Sequence, residues 1–317
     1  MRATLRKFGL GRAAYRFYHA PIAAVRESLA AGGPLEQWRT AAGRRAMKKA
    51  ATKLPPPNEA GQSLPLHLLS GNQFWYQTIF CLWSFTRQTR RPVAAVIYDD
   101  GSLDDHARQA MTRVFPLVRF RSKRECIERL DAHLPATQFP VLRDRWENYP
   151  NIRKLIDVHV AGTGWKLVLD SDLLFFRRPD FLLDWLEAPR VPLHATDTET
   201  SYGYSRPLLR ELAGTELRER VNVGLCGLRS EELDWEKLEY WCRTLLEREG
   251  TSYYLEQALV ALLTAGRECC IAPEADYVTL PQPPEAQACT AVMHHYVAES
   301  KRWYFRHNWQ RALAAAP

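Results

Sequence analysis

The stretch GWKLVLDSDLLFFRRPD, residues 164–180, interrupts an apolar run with two aspartates. The apolar residues before Asp170 predict a buried strand, and apolar residues resume directly after Asp172. A carboxylate inside a sheet is costly unless it is paired or binds a cation. At the end of a strand, however, both side chains can face one point, because residues i and i+2 share a side. The spacing therefore indicates a site for Mg²⁺ or Mn²⁺, or, as the simpler alternative, a turn capped by Asp172.

The sequence around this stretch alternates between predicted strands and helices. The strands fall at residues 65–70, 91–100, 116–122, 165–170, 191–195 and 220–228, and the helices at 72–89, 103–115, 141–161, 233–248 and 253–265. Near-continuous apolar strands are typical of a parallel sheet covered by helices on both faces, so we predict an α/β domain over residues 64–317. Ligands of such sheets bind beyond the carboxyl ends of the strands, where the acidic pairs Asp99-Asp100 and Asp170/Asp172 fall.

Residues 1–57 form a basic arm, which the Pro-rich segment 53–63 separates from the rest of the chain. The arm contains twelve Lys and Arg against two Glu, a net charge of +10, so residues 58–317 carry −3 of the total +7. We predict one or two basic helices, which either lie on an anionic membrane or pack on the body or on another subunit. No nucleic-acid reader motif accompanies the charge, so we expect no nucleic-acid partner.

The remaining composition is that of an ordinary globular protein, with 46% hydrophobic and 25% charged residues. No apolar run reaches the roughly 18 residues that a membrane-spanning helix needs, and the basic N-terminus lacks the apolar core of a secretory signal. The seven cysteines are scattered and form no C-x-x-C motif, which favours reduced thiols. We therefore expect a cytoplasmic protein, with the arm as the candidate for peripheral contact with the inner membrane face.

The strand followed by D-x-D and LLFF, together with IYDDGSLDD at residues 97–105, resembles the GT-A nucleotide-sugar glycosyltransferases over most of residues 64–305. The resemblance implies a mixed, mostly parallel sheet flanked by helices, a nucleoside diphosphate sugar as donor, and Mn²⁺ or Mg²⁺ as cofactor. It also implies that Asp99 or Asp100 contacts the base or ribose of the nucleotide. Without the resemblance, the same residues predict an Asp-Gly turn with Ser102 as a helix cap.

The C-terminal segment MHHYVAESKRWYF, residues 293–305, resembles the H-x-x-G-x-x-K-P-W motif of the glycogenin-like and lipopolysaccharide-galactosyltransferase family. The resemblance implies that His295 is the third metal ligand and that Lys301 binds the diphosphate, with His294 as the alternative register for the ligand. Imidazole suits a borderline metal such as Mn²⁺, and an ammonium group suits phosphate. The chain departs from the motif at Ala298, which replaces Gly, and at Arg302, which replaces Pro.

Three further segments resemble parts of the same family. Asn222 falls where the family places an Asn near the donor sugar, and Glu256 and Gln257 fall where an acid and a Gln face the transferred sugar. Lys154 precedes the D-x-D strand on a predicted helix and is a candidate for binding phosphate or sugar; Arg153 is equally placed. From the residues alone, these segments are also compatible with a plain buried strand and ordinary helices.

These residues predict a metal-dependent transfer of a sugar from a nucleoside diphosphate donor to a hydroxyl of a glycan, lipid-linked or protein acceptor. The resemblance implies retention of anomeric configuration, whereas Glu256 acting as a base would be compatible with inversion. Two other classes of function stay open at this point. One is a phosphatase or phosphotransferase that uses Asp170 and Asp172, and the other is a non-catalytic, membrane-associated protein that binds nucleotide sugars.

Overall fold

The computed structural model describes residues 33–315, and its centre is a seven-stranded mixed sheet. The strands lie in the order β3-β2-β1-β4-β7-β6-β8. Their bounds are β1 (Leu64–Ser70), β2 (Val93–Asp99), β3 (Arg119–Arg121), β4 (Trp165–Leu169), β6 (Leu193–Thr196), β7 (Val221–Arg229) and β8 (Cys270–Ile271). β1 pairs in parallel with β2 and β4, and β2 with β3, while β7 runs antiparallel to both β4 and β6. The prediction of a mixed, mostly parallel sheet is confirmed.

A second, three-stranded sheet joins the D-x-D segment to the C-terminal part of the chain. It consists of β5 (Leu173–Phe175), β9 (Tyr277–Thr279) and β10 (Met293–His295), with β10 in the middle. The antiparallel register of β5 and β10 places Leu173 opposite His295, and the backbone N–H of Tyr296 donates to the carbonyl of Asp172 at 3.1 Å. This pairing brings residues that are more than a hundred positions apart in the chain to one place.

Helices cover both faces of the larger sheet. They are α1 (Pro34–Ala51), α2 (Trp75–Thr89), α3 (Asp105–Val114), α4 (Lys123–His133), α5 (Pro140–Asn148), α6 (Arg153–His159), α7 (Asp180–Glu187), α8 (Arg206–Ala213), α9 (Trp235–Glu249), α10 (Leu255–Thr264), α11 (Pro283–Ala288), α12 (Lys301–Trp303) and α13 (Trp309–Ala314). Short 3-10 turns lie at Pro150–Ile152, Ser230–Glu232 and Ala298–Ser300, and a π-helical turn at Tyr304–Asn308 joins α12 to α13.

The alternation of the strand residues produces two hydrophobic cores, one on each face of the sheet. On β4, Leu167 and Leu169 belong to the core that includes α1, α2 and α3, whereas Val168 belongs to the core beneath α4, α5, α9 and α10. α2 is buried along almost its entire length, as its apolar sequence predicts. This double coverage explains why β1, β2 and β4 are almost continuously apolar.

One prediction about the elements is wrong, and α4 is among the helices that the sequence analysis missed. The single helix predicted at residues 141–161 is divided into α5, a 3-10 turn and α6, because Pro150 lacks an N–H group and restricts the preceding residue. α4 was not predicted, although Ser122 and Glu125 form a complete capping box at its start.

The described part of the basic arm is α1, which packs on the body of the protein. Met47 and Ala51 are fully buried, and a Cβ on Gly43 would lie 2.2 Å from the carbonyl oxygen of Phe305. Glu36 forms an ion pair with Arg306. The first 32 residues of the arm lie outside the described residues, and the division of the chain at residue 57 stays a prediction. Within residues 33–315, no helix combines the length and apolarity needed to cross a membrane.

Candidate functional site

A cleft of about 610 Å³ opens at the carboxyl ends of β1 and β4 and the start of β7. The position agrees with the expectation for an open α/β sheet. Asp99 and the two alternatives His294 and Arg153 do not line this cleft, whereas the other site residues predicted from the sequence do: Asp100, Lys154, Asp170, Asp172, Asn222, Glu256, Gln257, His295 and Lys301.

Asp170, Asp172 and His295 form a cluster of potential metal ligands whose ligand atoms all lie within 4.8 Å of one another. Nε2 of His295 is 3.6 Å from Oδ2 of Asp170 and 3.4 Å from Oδ1 of Asp172. The side chain of His295 is only 4% exposed, yet neither of its ring nitrogens has a hydrogen-bond partner among the described residues. Buried nitrogens without a partner beside two carboxylates fit a divalent cation, and the donor set suits Mn²⁺ or Mg²⁺.

His294 does not compete for this role. Its Nε2 lies 2.7 Å from Oε1 of Glu285, and its Nδ1 lies 2.9 Å from the hydroxyl of Tyr296. Consecutive residues of a strand face opposite sides, so only one of the two histidines of β10 can face the cleft. Of the two registers left open by the sequence, the structure therefore places His295 beside the aspartates.

Two lysines neutralise the acidic cluster. Nζ of Lys301 lies 3.0 Å from Oδ2 of Asp172, and Nζ of Lys154 lies 2.7 Å from Oδ1 of Asp170 and 3.2 Å from Oε2 of Glu256. Burial would raise the pKa of Asp172, but His295 and Lys301 hold that pKa well below its usual range. Burial also disfavours the charged form of each lysine, yet the neighbouring carboxylates raise the pKa of Lys154 and of Lys301.

The side chain of Glu256 is more deeply buried than those of the two aspartates. Its side chain is 6% exposed, and burial raises its pKa to about 7 although Lys154 lies beside it. The adjacent Arg153 is not part of the cleft lining: its Nε donates to Asp157 at 2.8 Å and a terminal nitrogen to the carbonyl of Asp99 at 2.8 Å. Lys154 is thus the basic residue of α6 that the structure brings to the site.

A further polar group in the cleft centres on Asp197, which the sequence analysis missed. Oδ2 of Asp197 accepts hydrogen bonds from Nδ2 of Asn222 and Nε2 of Gln257, each at 3.1 Å. Oδ1 of Asn222 in turn accepts from the N–H of Gly224 at 2.9 Å. A sequence signal was present, because Asp197 directly follows β6 as Asp170 directly follows β4.

The two acids at the end of β2 have different surroundings. Oδ1 of Asp99 accepts from the N–H groups of Gly101 and Leu103 at 2.8 and 3.1 Å, and its other oxygen forms an ion pair with Arg108. Asp99 is therefore engaged within the turn. Asp100 lines the cleft beside Gly71, where a Cβ would lie 1.9 Å from Oδ2 of Asp100, so any side chain at position 71 would displace the Asp100 carboxylate.

Ala298, which stands where the C-terminal motif has glycine, adopts a backbone conformation that favours glycine. Its φ is +44°, in the left-handed region that favours glycine, and it lines the cleft between His295 and Lys301.

The sheet order, the strand ending in D-x-D and the cleft at its end define an α/β fold of the GT-A glycosyltransferase type. Among solved structures, the galactosyltransferase LgtC in complex with donor and acceptor sugar analogues is similar, with a TM-score of 0.51 and 13% identity over 80% of this chain and 97% of that one. The bifunctional glycosyltransferase WbbM is also similar, with a TM-score of 0.51 and 11% identity over 81% of this chain. The match spans 52% of the length of WbbM.

No protein-family model matches the sequence, and no curated protein is similar to it in sequence. The fold prediction is confirmed by the structural similarity, and the low identity makes this chain a divergent example of the fold.

Proposed function

We propose that the protein is a metal-dependent glycosyltransferase that moves a sugar from a nucleoside diphosphate donor to an acceptor hydroxyl. The observation that carries the proposal is the convergence of Asp170, Asp172, His295 and Lys301 in one cleft of a GT-A fold. The first two come from the end of β4, and the last two from β10 and α12, so the site depends on the tertiary structure.

Asp170, Asp172 and His295 would hold Mn²⁺ or Mg²⁺, which supplies charge neutralisation to a departing diphosphate when it is bound. Lys301 stabilises the same diphosphate as a positioned cation at the rim of the cleft. Asp100 contacts the nucleoside, since it is the acid of the β2 turn that lines the cleft.

Lys154, Asn222, Glu256 and Gln257 form the wall against which we place the donor sugar. Lys154 offers an ammonium group to phosphate or sugar oxygens, and Asn222 holds the start of β7 in position through Gly224. Glu256 and Gln257 are the residues that we place nearest the anomeric carbon. The ion pair of Glu256 with Lys154 and its 6% exposure favour a position beside the donor over one beside an acceptor hydroxyl. We therefore propose retention of anomeric configuration.

We further propose that the acceptor is a glycan, a lipid-linked sugar or a protein, and that the protein works in the cytoplasm. The scattered cysteines support a reducing compartment, because all seven are free and four of them are buried.

The test is calorimetric titration of UDP and GDP with and without Mn²⁺, followed by a screen of nucleotide sugars for Mn²⁺-dependent donor hydrolysis. We expect nucleotide binding that requires the metal and that Asp172→Ala abolishes. Asp180→Asn, which removes an exposed acid of α7, is the matched control and should bind as the wild type does. No binding of either nucleotide in the presence of Mn²⁺ would disprove the proposal.

The same experiments separate the two other classes of function. Turnover of a simple phosphoester without a sugar donor identifies a phosphatase or phosphotransferase. Metal-dependent nucleotide binding without donor hydrolysis or transfer identifies a non-catalytic binding protein. An NMR spectrum of the product distinguishes retention from inversion.

A further inference from the structure

Gln77 carries a carboxamide that lines the cleft, is buried and is incompletely hydrogen-bonded. Only 2% of the residue is exposed, and it lies in the first turn of α2. Its Oε1 has no hydrogen-bond partner among residues 33–315, and its Nε2 lies 3.5 Å from the hydroxyl of Tyr76, at the outer limit of a hydrogen bond. Buried carbonyl groups are normally paired, so an unpaired one in the wall of a cleft indicates contact with a ligand.

The first turn of α2 is attached on one side to the turn that carries Asp100. Ser70, the last residue of β1, joins the two. Its carbonyl accepts from the N–H of Asp100 at 3.0 Å, and its hydroxyl lies 2.8 Å from that of Thr78. Ser70 also lines the cleft, as Asp100 does. Gln77 is therefore a neighbour of the wall on which we place the nucleoside.

On its other side, α2 packs on the segment that carries the metal ligands. α2 contacts β5, the strand that directly follows Asp172. Cys81 follows Gln77 by four residues and therefore lies on the same side of the helix. Burial and the nearby carboxylates of Asp172 and Asp170 raise the pKa of the Cys81 thiol, as expected if this side of α2 lies beside the metal ligands. Gln77 thus lies between the Asp100 turn and the acidic cluster.

We propose that the carboxamide of Gln77 binds a ribose hydroxyl of the nucleotide and makes the protein specific for ribonucleotides. The ribose joins the base of a nucleoside diphosphate to its phosphates, so it lies between the groups that Asp100 and the metal cluster bind. Ionised phosphate oxygens have no proton to donate to Oε1, whereas a hydroxyl both donates and accepts and suits either end of a carboxamide. This inference rests on the proposed function, because it takes a nucleotide as the donor.

The unpaired state of Oε1 makes the contact selective. A ribose hydroxyl completes the hydrogen bonding of Gln77, whereas a deoxy nucleotide leaves the buried carbonyl without a partner. Sites that leave a buried polar group unpaired reject such an analogue strongly. In the free protein, Oε1 makes no hydrogen bond with residues 33–315, so replacing Gln77 with methionine, an apolar residue of similar length, should not destabilise the fold.

The experiment is calorimetric titration of the full chain, in the presence of Mn²⁺, with UDP and GDP and with the 2′-deoxy and 3′-deoxy forms of each. We expect the wild type to bind one of the two deoxy forms roughly tenfold more weakly than the parent nucleotide, the effect of one unmade hydrogen bond in a buried site. Gln77→Met should lower the affinity for the parent nucleotide by the same factor and bind that deoxy form as the wild type does. The affinity for inorganic pyrophosphate, which has no ribose, should not change.

Gln73→Met is the matched control, because Gln73 is exposed in the turn before α2 and lies outside the cleft lining. It should keep the discrimination of the wild type. In urea denaturation, Gln77→Met should be at least as stable as the wild type, which separates a lost contact from a damaged fold. In donor hydrolysis, Gln77→Met should raise KM about tenfold and leave kcat unchanged, because the ribose is bound equally in the ground state and the transition state.

The possible failures are distinguishable. Equal affinity of the wild type for the parent nucleotide and both deoxy forms would overturn this inference alone and leave the proposed function standing. A loss in Gln77→Met that is the same for all three nucleotides would assign the carboxamide to the base, and an equal loss for pyrophosphate would assign it to the metal or the phosphates. Absence of any nucleotide binding in the presence of Mn²⁺ would overturn the proposed function and this inference with it.

Discussion

The imidazole of His295 lies directly against the backbone of Gly224: a Cβ at position 224 would be 2.2 Å from Cε1 of His295. The backbone of Gly224 also forms two hydrogen bonds in the cleft, since its carbonyl accepts from the N–H of Asp170 at 2.8 Å and its own N–H donates to Oδ1 of Asn222 at 2.9 Å. The absence of a side chain at Gly224 therefore provides the space in which His295 faces the two aspartates.

Replacing Gly224 with Ala should displace His295 and weaken metal binding. We expect Gly224→Ala to lower the affinity for Mn²⁺ by about 10- to 100-fold, the usual effect of disturbing a residue that orients a ligand. Calorimetric titration of Mn²⁺ in the presence of UDP measures this. Gly227→Ala is the control, because Gly227 lies on the same strand as Gly224 but outside the cleft lining. A Cβ at position 227 would lie 2.6 Å from the ring of Trp185 on α7 and would not touch His295. Wild-type affinity in Gly224→Ala would show that His295 is not a ligand.

Replacing Ala298 with Gly should stabilise the protein. An L-residue in the left-handed region is strained by roughly 1–2 kcal/mol, and glycine relieves this strain at some cost in chain entropy. We expect Ala298→Gly to raise the free energy of unfolding by about 0.5–1 kcal/mol. Ala265→Gly, at a position with φ of −59°, should lower it instead. Urea denaturation of both variants tests the difference, and equal destabilisation would contradict it.

Long apolar segments and local motifs made most of the fold predictable. The strands near residues 65–70, 91–100 and 165–170 are apolar because both faces of the sheet are covered, and the acids that end them mark the cleft. The second sheet could not be predicted in the same way. β5, β9 and β10 are three residues long, which is too short for any periodicity to appear.

The parts of the site that depend on tertiary contacts were also beyond the sequence. Asp197 acquires its place from Asn222 and Gln257, which belong to two other elements. The preference for Asp100 over Asp99 depends on a turn that holds both carboxylates, Asp99 through Gly101 and Leu103 and Asp100 through Ser102, but that leaves only Asp100 in the lining of the cleft. Both acids fit the motif equally well, so only the geometry of the turn separates them.

Two buried histidines should make the protein less stable in acid. Burial lowers the pKa of His159 to about 3 and the pKa of His67 to about 3. Nδ1 of His159 lies 3.0 Å from the hydroxyl of Ser230, within hydrogen-bond distance. Both folded-state values lie below the unfolded value of 6.5, so the unfolded chain binds more protons. Their contribution to stability is therefore complete above pH 6.5 and is lost as the pH falls from 6.5 towards 3.

Replacing His159 with Gln should weaken the pH dependence of stability, because the unfolded chain then loses one of the protons that it binds in excess of the folded protein. Below about pH 6, each such histidine lowers the free energy of unfolding by up to about 1.4 kcal/mol for every pH unit of acidification. Urea denaturation of the wild type and of His159→Gln should therefore show a smaller slope with pH in the variant. Between about pH 7 and 8 the two slopes should coincide, which serves as the internal control. Parallel curves throughout the acidic range would contradict the prediction.

Glu256 should impose a pH dependence on the reaction that glutamine at the same position cannot. Burial raises the pKa of Glu256 to about 7, so its carboxyl is mostly protonated at pH 6 and mostly ionised at pH 8. Only the ionised form pairs with Lys154 as a charge, and this pair positions the ammonium group 2.7 Å from Asp170.

If the ionised form is the active one, the rate of donor hydrolysis rises through pH 7 in the wild type, and this rise is absent in Glu256→Gln. We expect the variant to hydrolyse the donor nearly as fast as the wild type at about pH 6 and on the order of tenfold to a hundredfold more slowly at about pH 8. Glu199→Gln, at the exposed rim of the same cleft, should follow the wild-type profile. A ratio of variant to wild-type rate that is the same at both pH values would show that the charge of Glu256 takes no part in the reaction, and would leave its buried side chain with only a structural contact to Lys154.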